Sequence, residues 1–198
     1  MDSRIARARV AFTSLRHLWR RSDVGLRLKR RVYLASVRSV LLYGCESWTT
    51  RAEDLRRLEV FEHRCLRRLA RVWWQHRISN AEVRHRVLGV DSLVLRDVIN
   101  RSRLRWLGHV LRMKPERLPL HALRVSAGPG WRRCPGGQPL TWKKALKRLS
   151  SGLARVGRIR LPGWGPRDSE SLWLDALSTM AGNRQQWREC ILFCCPPS

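Results

Sequence analysis

Apolar residues recur along this chain at alternating spacings of three and four, which is the pattern of an amphipathic helix. In the first stretch, one face of a single helix carries Ile5, Ala8, Phe12, Leu15 and Trp19, whereas most of the arginines fall elsewhere. Strand-like alternation is almost absent from the sequence, and no internal repeat is found. The pattern predicts an all-α fold, a basic multi-helix domain of about six to eight helices with two Gly/Pro-rich loops.

Capping residues predict where several helices begin and end. A second helix is expected at about 25–43. Thr50 with Glu53, and Ser79 with Glu82, match the capping-box pattern that satisfies the first amide groups of a helix. Further helices are expected at about 93–113, at about 141–156, and as a final pair whose start is capped by Asp168.

Glycine and proline are concentrated in two loops, where they favour turns. The first loop lies at 128–139 and the second at 161–166. Because the composition changes most clearly at the first loop, that loop is the expected domain boundary. The sequence therefore predicts a basic helical domain at 1–127, a Gly/Pro linker at 128–139 and a C-terminal helical segment at 140–198.

The charge of the chain is strongly unbalanced. Its 198 residues include 41 Lys and Arg against 15 Asp and Glu, which gives a formal net charge of +26. A compact chain with this charge repels itself, so a polyanionic partner is expected. Most of the cations are arginines, whose planar guanidinium groups bind phosphate oxygens bidentately and stack on bases. The composition favours nucleic acid, although GC-rich coding would also enrich arginine without any selection for binding.

Nucleic-acid contacts are expected where basic residues are densest on the helices. Such binding is salt-sensitive and weakly specific for sequence. One ring of Trp73–Trp74, which lies beside Arg71 and Arg77, is a candidate for base stacking. The predicted contact residues are Arg20, Arg21, Lys29, Arg30, Arg31, Arg67, Arg68, Arg71, Arg103 and Arg105.

The sequence offers no recognisable catalytic centre. A two-metal active site needs clustered carboxylates, and no Asp-Asp pair is present. The adjacent acids Glu53 and Asp54 lie at a predicted helix start, where a structural role suffices. His63 and Cys65 point to different sides of a helix, so Cys65 is expected in the core. We therefore expect no catalytic residue, no enzymatic activity and no cofactor.

A zinc site is a weaker possibility. Cys190, Cys194 and Cys195 lie close together, and His63 or Cys134 would have to complete the ligand set. Structural zinc sites usually have two closely spaced pairs of ligands, whereas this chain has one cluster. The favoured interpretation is a cysteine cluster at a helix end without a metal.

We expect an intracellular protein with reduced cysteines, located in the nucleus. The N-terminus is rich in arginine and lacks the apolar stretch of a secretory signal peptide. No segment approaches the roughly 20 apolar residues that span a membrane. The six cysteines are accordingly expected as free thiols.

A series of short motifs covers nearly the whole chain in order. They are 11–12 (AF), 18–21 (LWRR), 31–33 (RVY), 37–48 (VRSVLLYGCESW), 63–67 (HRCLR), 79–84 (SNAEVR), 104–113 (LRWLGHVLRM), 136–138 (GGQ), 141–142 (TW), 161–168 (LPGWGPRD) and 183–188 (NRQQWR). Together they resemble the C-terminal region of non-LTR, LINE-like retrotransposon reverse transcriptases of the RTE type.

This resemblance implies a thumb-like domain at 1–127, followed by the segment beyond the thumb. It also implies contacts with the template–primer duplex or with target DNA, so the expected partner is an RNA/DNA hybrid or duplex DNA, with no membrane or small-molecule substrate. The family's catalytic aspartates, in an Ala-Asp-Asp context, and its endonuclease lie upstream of this region and have no counterpart here. We expect the chain to be a truncated reading frame or gene-model fragment that does not copy RNA by itself.

Three other interpretations stay open at this point. The chain is a non-functional remnant that folds poorly, a binder of anionic membranes through basic amphipathic helices, or a zinc-assisted DNA-binding module. A melting curve tests the remnant, which would show no cooperative transition. Preference for liposomes over duplex would indicate the membrane binder, and metal content tests the zinc module.

Overall fold

The fold is all-α, as the periodicity of apolar residues predicted. The computed structural model describes residues 1–90, 92–125, 130, 132, 141–156, 159–165, 168–169 and 171–196. Within these ranges there are eleven α-helical segments, which is more than predicted because two of the expected helices are interrupted and the helix Leu118–Arg124 was not expected. The predicted linker at 128–139 lies outside the described residues except for Gly130 and Arg132, so that boundary stays a prediction.

Contacts between residues divide the chain into two units, which are described separately. Unit 1 contains Met1–Cys45 and Thr50–Ile99, and unit 2 contains Glu46–Thr49 and Asn100–Pro196. None of the helices in the described ranges is long and apolar enough to cross a lipid bilayer.

Unit 1 is built from six α-helices and the first part of a seventh. The longest of the six is α5, whose buried face includes Leu58, Phe61, Cys65 and Leu69. The helices are α1 (Asp2–Ser14), α2 (Arg16–Arg20), α3 (Leu26–Val32), α4 (Ser39–Leu42), α5 (Ala52–Leu69), α6 (Asn80–Leu88) and α7 (Leu95–Leu111); a π-helical segment (Tyr33–Arg38) joins α3 to α4, and short 3-10 helices occur at Cys45–Ser47 and Trp74–His76.

The first predicted helix is broken in two at Leu15. The indole N–H of Trp19 donates to the carbonyl oxygen of Phe12 at 2.7 Å, and the two rings stack with centroids 5.3 Å apart. In an unbroken helix that carbonyl would accept from the amide four residues later. The ring stacking and the indole hydrogen bond therefore accompany the break between α1 and α2.

The second predicted helix is confirmed, but its middle is wider than an α-helix. Its fully buried positions are Lys29, Tyr33, Val37 and Leu41, each four residues after the last. Because an α-helix completes a turn in 3.6 residues, positions four apart drift around its axis. The π-helical segment holds more residues per turn and so keeps these four side chains on one face.

The two predicted capping boxes have different outcomes. Ser79 caps α6 as predicted, since its hydroxyl accepts from the amide of Glu82 at 3.1 Å. The box at Thr50 and Glu53 is wrong by one residue. Helix α5 begins after Arg51, whose amide donates to the carboxylate of Asp54 at 3.3 Å. Thr50, the residue before Arg51, is buried. The acid at the third helical position is Asp54, and it contacts Arg51 rather than Thr50.

Unit 2 buries its apolar residues among α7 and four shorter helices. Leu107, Leu146, Trp173 and Leu177 are fully enclosed in this core. The helices are α8 (Leu118–Arg124), α9 (Trp142–Leu149), α10 (Leu172–Gly182) and α11 (Arg184–Cys194), with a 3-10 helix at Ser150–Ala154 and a two-residue antiparallel ladder between β1 (Arg155–Val156) and β2 (Ile159–Arg160).

The turn before α10 is organised by Asp168, which does not cap the helix as predicted. Its Oδ2 accepts from the amides of Gly163 and Gly165, both at 2.7 Å. Gly163 has φ +104°, and a Cβ atom there would lie 2.2 Å from the backbone nitrogen of Trp173. The carboxylate is therefore committed to the loop, and α10 begins after Ser171.

Candidate nucleic-acid interface

A basic groove runs along unit 1 between the first two helices and α5. At one end it is lined by Arg16, Arg20, Arg68 and Arg71, with the exposed ring of Trp73 beside them. Its floor is made by two buried rings, those of Phe12 and Trp19. Further along, the same surface is lined by Arg9, Arg56, Arg57 and Arg64. We call this surface the α1–α5 groove.

The length of the groove follows from the helical rise of α5. Arg57, Arg64 and Arg68 lie on one face of α5, and the first and last are about 16.5 Å apart at 1.5 Å per residue. Among the described residues that line the groove, Asp2 is the one carboxylate, and it pairs with Arg57. The groove is therefore a nearly continuous strip of positive charge.

Trp73 is the exposed aromatic ring at the end of this strip. Its side chain is 60% exposed, which is unusual for a residue that normally supplies core area. The amide of Trp73 donates to Nδ1 of His76 at 2.9 Å, and the carbonyl of Trp73 accepts from the amide of His76 at 3.1 Å. These bonds hold the short loop after α5 closed, while the side chain of Trp74 lies outside the described residues.

Arg71 occupies a backbone position that usually belongs to glycine. Its φ is +53°, in the left-handed region. The amide of Val72 donates to the carbonyl of Arg67 at 2.9 Å, and the amide of Arg71 donates to the carbonyl of Arg68 at 3.3 Å. These two bonds form the Schellman motif at the end of α5. The guanidinium of Arg71 also donates to the carbonyl of Arg20 at 2.7 Å. The chain thus keeps a strained arginine at the Trp73 end of the groove, at a cost of about 1–2 kcal/mol.

The structure brings together four of the ten predicted contact residues. Arg20, Arg67, Arg68 and Arg71 line the α1–α5 groove. Arg31 is exposed elsewhere on unit 1, and Arg105 is exposed on unit 2. Two others are engaged locally: Arg21 forms an ion pair with Asp23, and the guanidinium of half-buried Arg30 lies against Gly89.

Lys29 and Arg103 depart from the prediction because their side chains are buried, with 4% and 7% of their surface exposed. The ammonium of Lys29 donates to the carbonyls of Trp19 at 3.2 Å and Arg21 at 2.6 Å. Burial lowers the pKa of Lys29. Arg103 donates to the carbonyl of Trp48. Both cations satisfy carbonyl groups inside the fold and are not presented to a ligand.

Arg67 is half-buried and lines the groove, but its guanidinium group is engaged within the fold. Its guanidinium donates to the carbonyl of Ile78 at 2.6 Å and to the side chain of Asn80 at 3.0 Å, which secures the segment leading into α6. Basic density missed Arg16, which lines the groove. Helical spacing would have found it, since Arg9, Arg16 and Arg20 follow one another at intervals of seven and four.

No group of three or more potential metal ligands comes together in the part of the chain that the structure describes. Burial raises the pKa of Cys190 and raises that of Cys194 to about 12, so both thiols are protonated at neutral pH. Zinc binds the thiolate form of cysteine. Cys134, a predicted completing ligand, lies outside the described residues.

Comparison with protein-family models gives no match for this chain, and comparison with curated proteins and with solved structures gives none either. The functional interpretation therefore depends on the sequence motifs and on the geometry of the α1–α5 groove.

Proposed function

We propose that this chain is a nucleic-acid-binding segment of a non-LTR retrotransposon reverse transcriptase, without the polymerase active site. In this proposal the α1–α5 groove holds an RNA/DNA hybrid or duplex DNA. The observation that carries it is the placement of Arg16, Arg20, Arg68 and Arg71 around an exposed tryptophan, Trp73. The sequence motifs support the same assignment independently, and a nuclear location accompanies it.

The chemistry of the groove suits a phosphodiester backbone. Guanidinium groups bind phosphate oxygens through two parallel hydrogen bonds. Duplex rises about 3.4 Å per phosphate along one strand, so the roughly 16.5 Å from Arg57 to Arg68 spans about five phosphates. Binding of this kind reads backbone geometry and carries little sequence information.

Trp73 adds a second mode of contact. An indole ring with most of its surface exposed can stack on any base that is not already stacked on both faces. Trp73 lies at the end of the arginine strip, so it would meet a base at the end of a duplex or in a single-stranded overhang. This arrangement is suited to holding a duplex near its terminus, which is the task that a polymerase thumb performs.

The test is duplex binding as a function of salt concentration, measured by fluorescence anisotropy with the full chain. The double variant Arg16→Gln/Arg68→Gln should weaken binding and reduce the slope of log Kobs against log salt by about 1.8, the value for two lost phosphate contacts. The matched control is Arg27→Gln/Arg96→Gln, which removes the same charge from exposed positions of unit 1 outside the groove. Equal losses in the two variants, or a flat salt response of the unmodified chain, would contradict the proposal.

A further inference from the structure

Unit 2 contains a second arginine-rich groove, between α7 and α11. Helix α7 contributes Arg105 and His109, and α11 contributes Arg184 and Arg188. The floor is apolar and includes the buried ring of Trp187. We call this surface the α7–α11 groove.

The groove depends on the close packing of its two helices. A Cβ atom built on Gly108 would lie 2.0 Å from Nε1 of Trp187, so only glycine leaves room for this ring. The indole N–H donates to the carbonyl of Leu104 at 3.1 Å. Because the ring lies directly on the backbone of α7, the arginines of α7 and α11 border the same depression.

Two further arginines at the ends of the groove have structural partners. Arg101 donates to the carbonyl of Cys195 at 3.0 and 2.7 Å, and Arg112 donates to that of Ala181 at 3.0 Å. These carbonyls belong to the C-terminal ends of α11 and α10, where positive charge is favourable. Burial lowers the pKa of Arg112, and the nearby charge of Arg184 lowers it further.

The remaining arginines of the groove are available to a ligand. Arg105, Arg184 and Arg188 are exposed, and none of them hydrogen-bonds to or pairs with another group in the described part of the chain. No carboxylate is among the described residues that line the groove. The structure thus concentrates cations here at an electrostatic cost that an anionic ligand would offset.

We propose that the α7–α11 groove is a second phosphate-binding site, which takes a nucleic-acid backbone on its own. Arg184 and Arg188 lie one turn apart on α11, a separation of about 6 Å. This is close to two base-pair rises of a duplex, about 6.8 Å, so the two guanidinium groups match phosphates along one strand. A chain with two such sites binds two nucleic-acid segments at once. The ligand class follows from the proposed function, but the site itself does not depend on the α1–α5 groove.

The experiment compares three forms of the full chain in titrations with a short duplex. The site variant is Arg105→Gln/Arg184→Gln/Arg188→Gln. Its matched control is Arg117→Gln/Lys144→Gln/Arg148→Gln, which removes the same charge from exposed positions of unit 2 outside the groove. Circular dichroism melting checks that each variant is folded, and the single variant Arg188→Gln replaces the triple variant if the latter is not.

The unmodified chain and the control should bind two short duplexes, and the site variant should bind one, with the salt slope of the remaining site unchanged. Two duplexes bound by the site variant would overturn this proposal and leave the proposed function intact. If the groove variants of both units bind like the unmodified chain, both proposals fail. Competition with polyglutamate at equal charge concentration gives a further outcome. If polyglutamate displaces one of the two duplexes from the unmodified chain and none from the site variant, the proposal is overturned in favour of an acidic protein partner.

Discussion

The loop that carries Trp73 is bounded by two arginines in left-handed backbone conformations. Arg71 has φ +53° and Arg77 has φ +46°. Residues other than glycine pay for this conformation, and such strain is concentrated at functional sites in proteins. Since glycine would relieve the strain at residue 71, the arginine there is better explained by its side chain than by its backbone.

Replacement of Arg71 separates these two contributions. Arg71→Gly and Arg71→Ala both remove the guanidinium, so both should weaken duplex binding to the same extent. Only Arg71→Ala keeps the strained backbone, so it should be less stable than Arg71→Gly by about 1 kcal/mol. Urea unfolding and anisotropy titrations measure the two effects. Duplex binding by Arg71→Gly that equals that of the unmodified chain would show that the guanidinium is dispensable.

His63 is a second residue whose surroundings predict a measurable effect. Burial lowers its pKa below the ordinary 6.5, and the charges of Arg84 and Arg67 lower it further. A guanidinium N–H of Arg84 lies 2.9 Å from Nε2 of His63, which accepts this bond only when the imidazole is neutral. The unfolded chain therefore binds a proton more readily than the folded chain at this position.

The sign of the resulting pH dependence is fixed by linkage. Because the pKa is lower in the folded state, His63 contributes stability above pH 6.5 that is lost as the pH falls through the folded pKa. Thermal midpoints should fall between about pH 7.5 and pH 5.5, and His63→Gln should flatten this dependence while keeping an acceptor for Arg84. The control His17→Gln, at an exposed position, should leave it unchanged. A dependence that persists in His63→Gln would assign it to another group.

Buried charges are the residues that the sequence predicted least well. Glu62 is completely buried and pairs with Arg38 at 3.1 Å, although the two lie on different helical segments. Lys29 is buried because two carbonyls near the end of α2 approach it. Helical periodicity identifies which apolar side chains turn inward, but it contains no information about a partner on another helix.

At the scale of elements, the packing of α7 on α11 predicts a sensitive position. A methyl group at residue 108 has no room beside the ring of Trp187, so Gly108→Ala should displace the ring and break its hydrogen bond to Leu104. Overpacking of this kind costs about 1–3 kcal/mol, which exceeds the gain of up to about 1 kcal/mol from the helix propensity of alanine.

The matched control for this position is Gly182→Ala. A Cβ atom at Gly182, in the last turn of α10, meets nothing within 4 Å. This control should be neutral or slightly stabilising in urea unfolding. If Gly108→Ala is as stable as Gly182→Ala, the ring does not lie on α7 as described.

The start of α6 and the loop before α10 were predictable from local residues. Ser79 caps α6 through its own hydroxyl, and the turn residues near Gly163 form the expected loop. The break at Leu15 was not predictable, because it accompanies a contact between two rings seven residues apart that periodicity does not show. The π-helical segment Tyr33–Arg38 was not predictable, because it packs against α1, which is distant in sequence. The kind of site was predictable, namely basic helices with an exposed tryptophan. The density of basic residues identified only some of the residues that line it.

At the scale of the whole molecule, the net charge of +26 predicts that salt acts in opposite directions on folding and on binding. Ions screen the repulsion among exposed arginines, so the thermal midpoint should rise between about 50 and 500 mM NaCl. The same ions compete for phosphates, so duplex affinity should fall over that range. Calorimetry and anisotropy on one preparation measure both responses.

The variant Arg7→Gln/Arg27→Gln/Arg96→Gln provides the comparison, since it lowers the charge at three exposed positions of unit 1. Its thermal midpoint should be higher than that of the unmodified chain at low salt, and this midpoint should rise less when NaCl is added. A thermal midpoint of the unmodified chain that falls with salt would mean that specific ion pairs outweigh the general repulsion.

Because the ammonium group of Lys29 is buried, its chemical modification measures local opening of the fold. Of the five lysines in the sequence, Lys29 is enclosed by the carbonyls of Trp19 and Arg21, whereas Lys114 and Lys144 are exposed. An acylating reagent would modify the exposed amines within seconds to minutes but reach Lys29 only when the contact between α2 and α3 separates. The rate at which the peptide containing residue 29 gains mass would therefore give the rate of opening of this part of unit 1. The exposed lysines serve as internal controls for reagent activity.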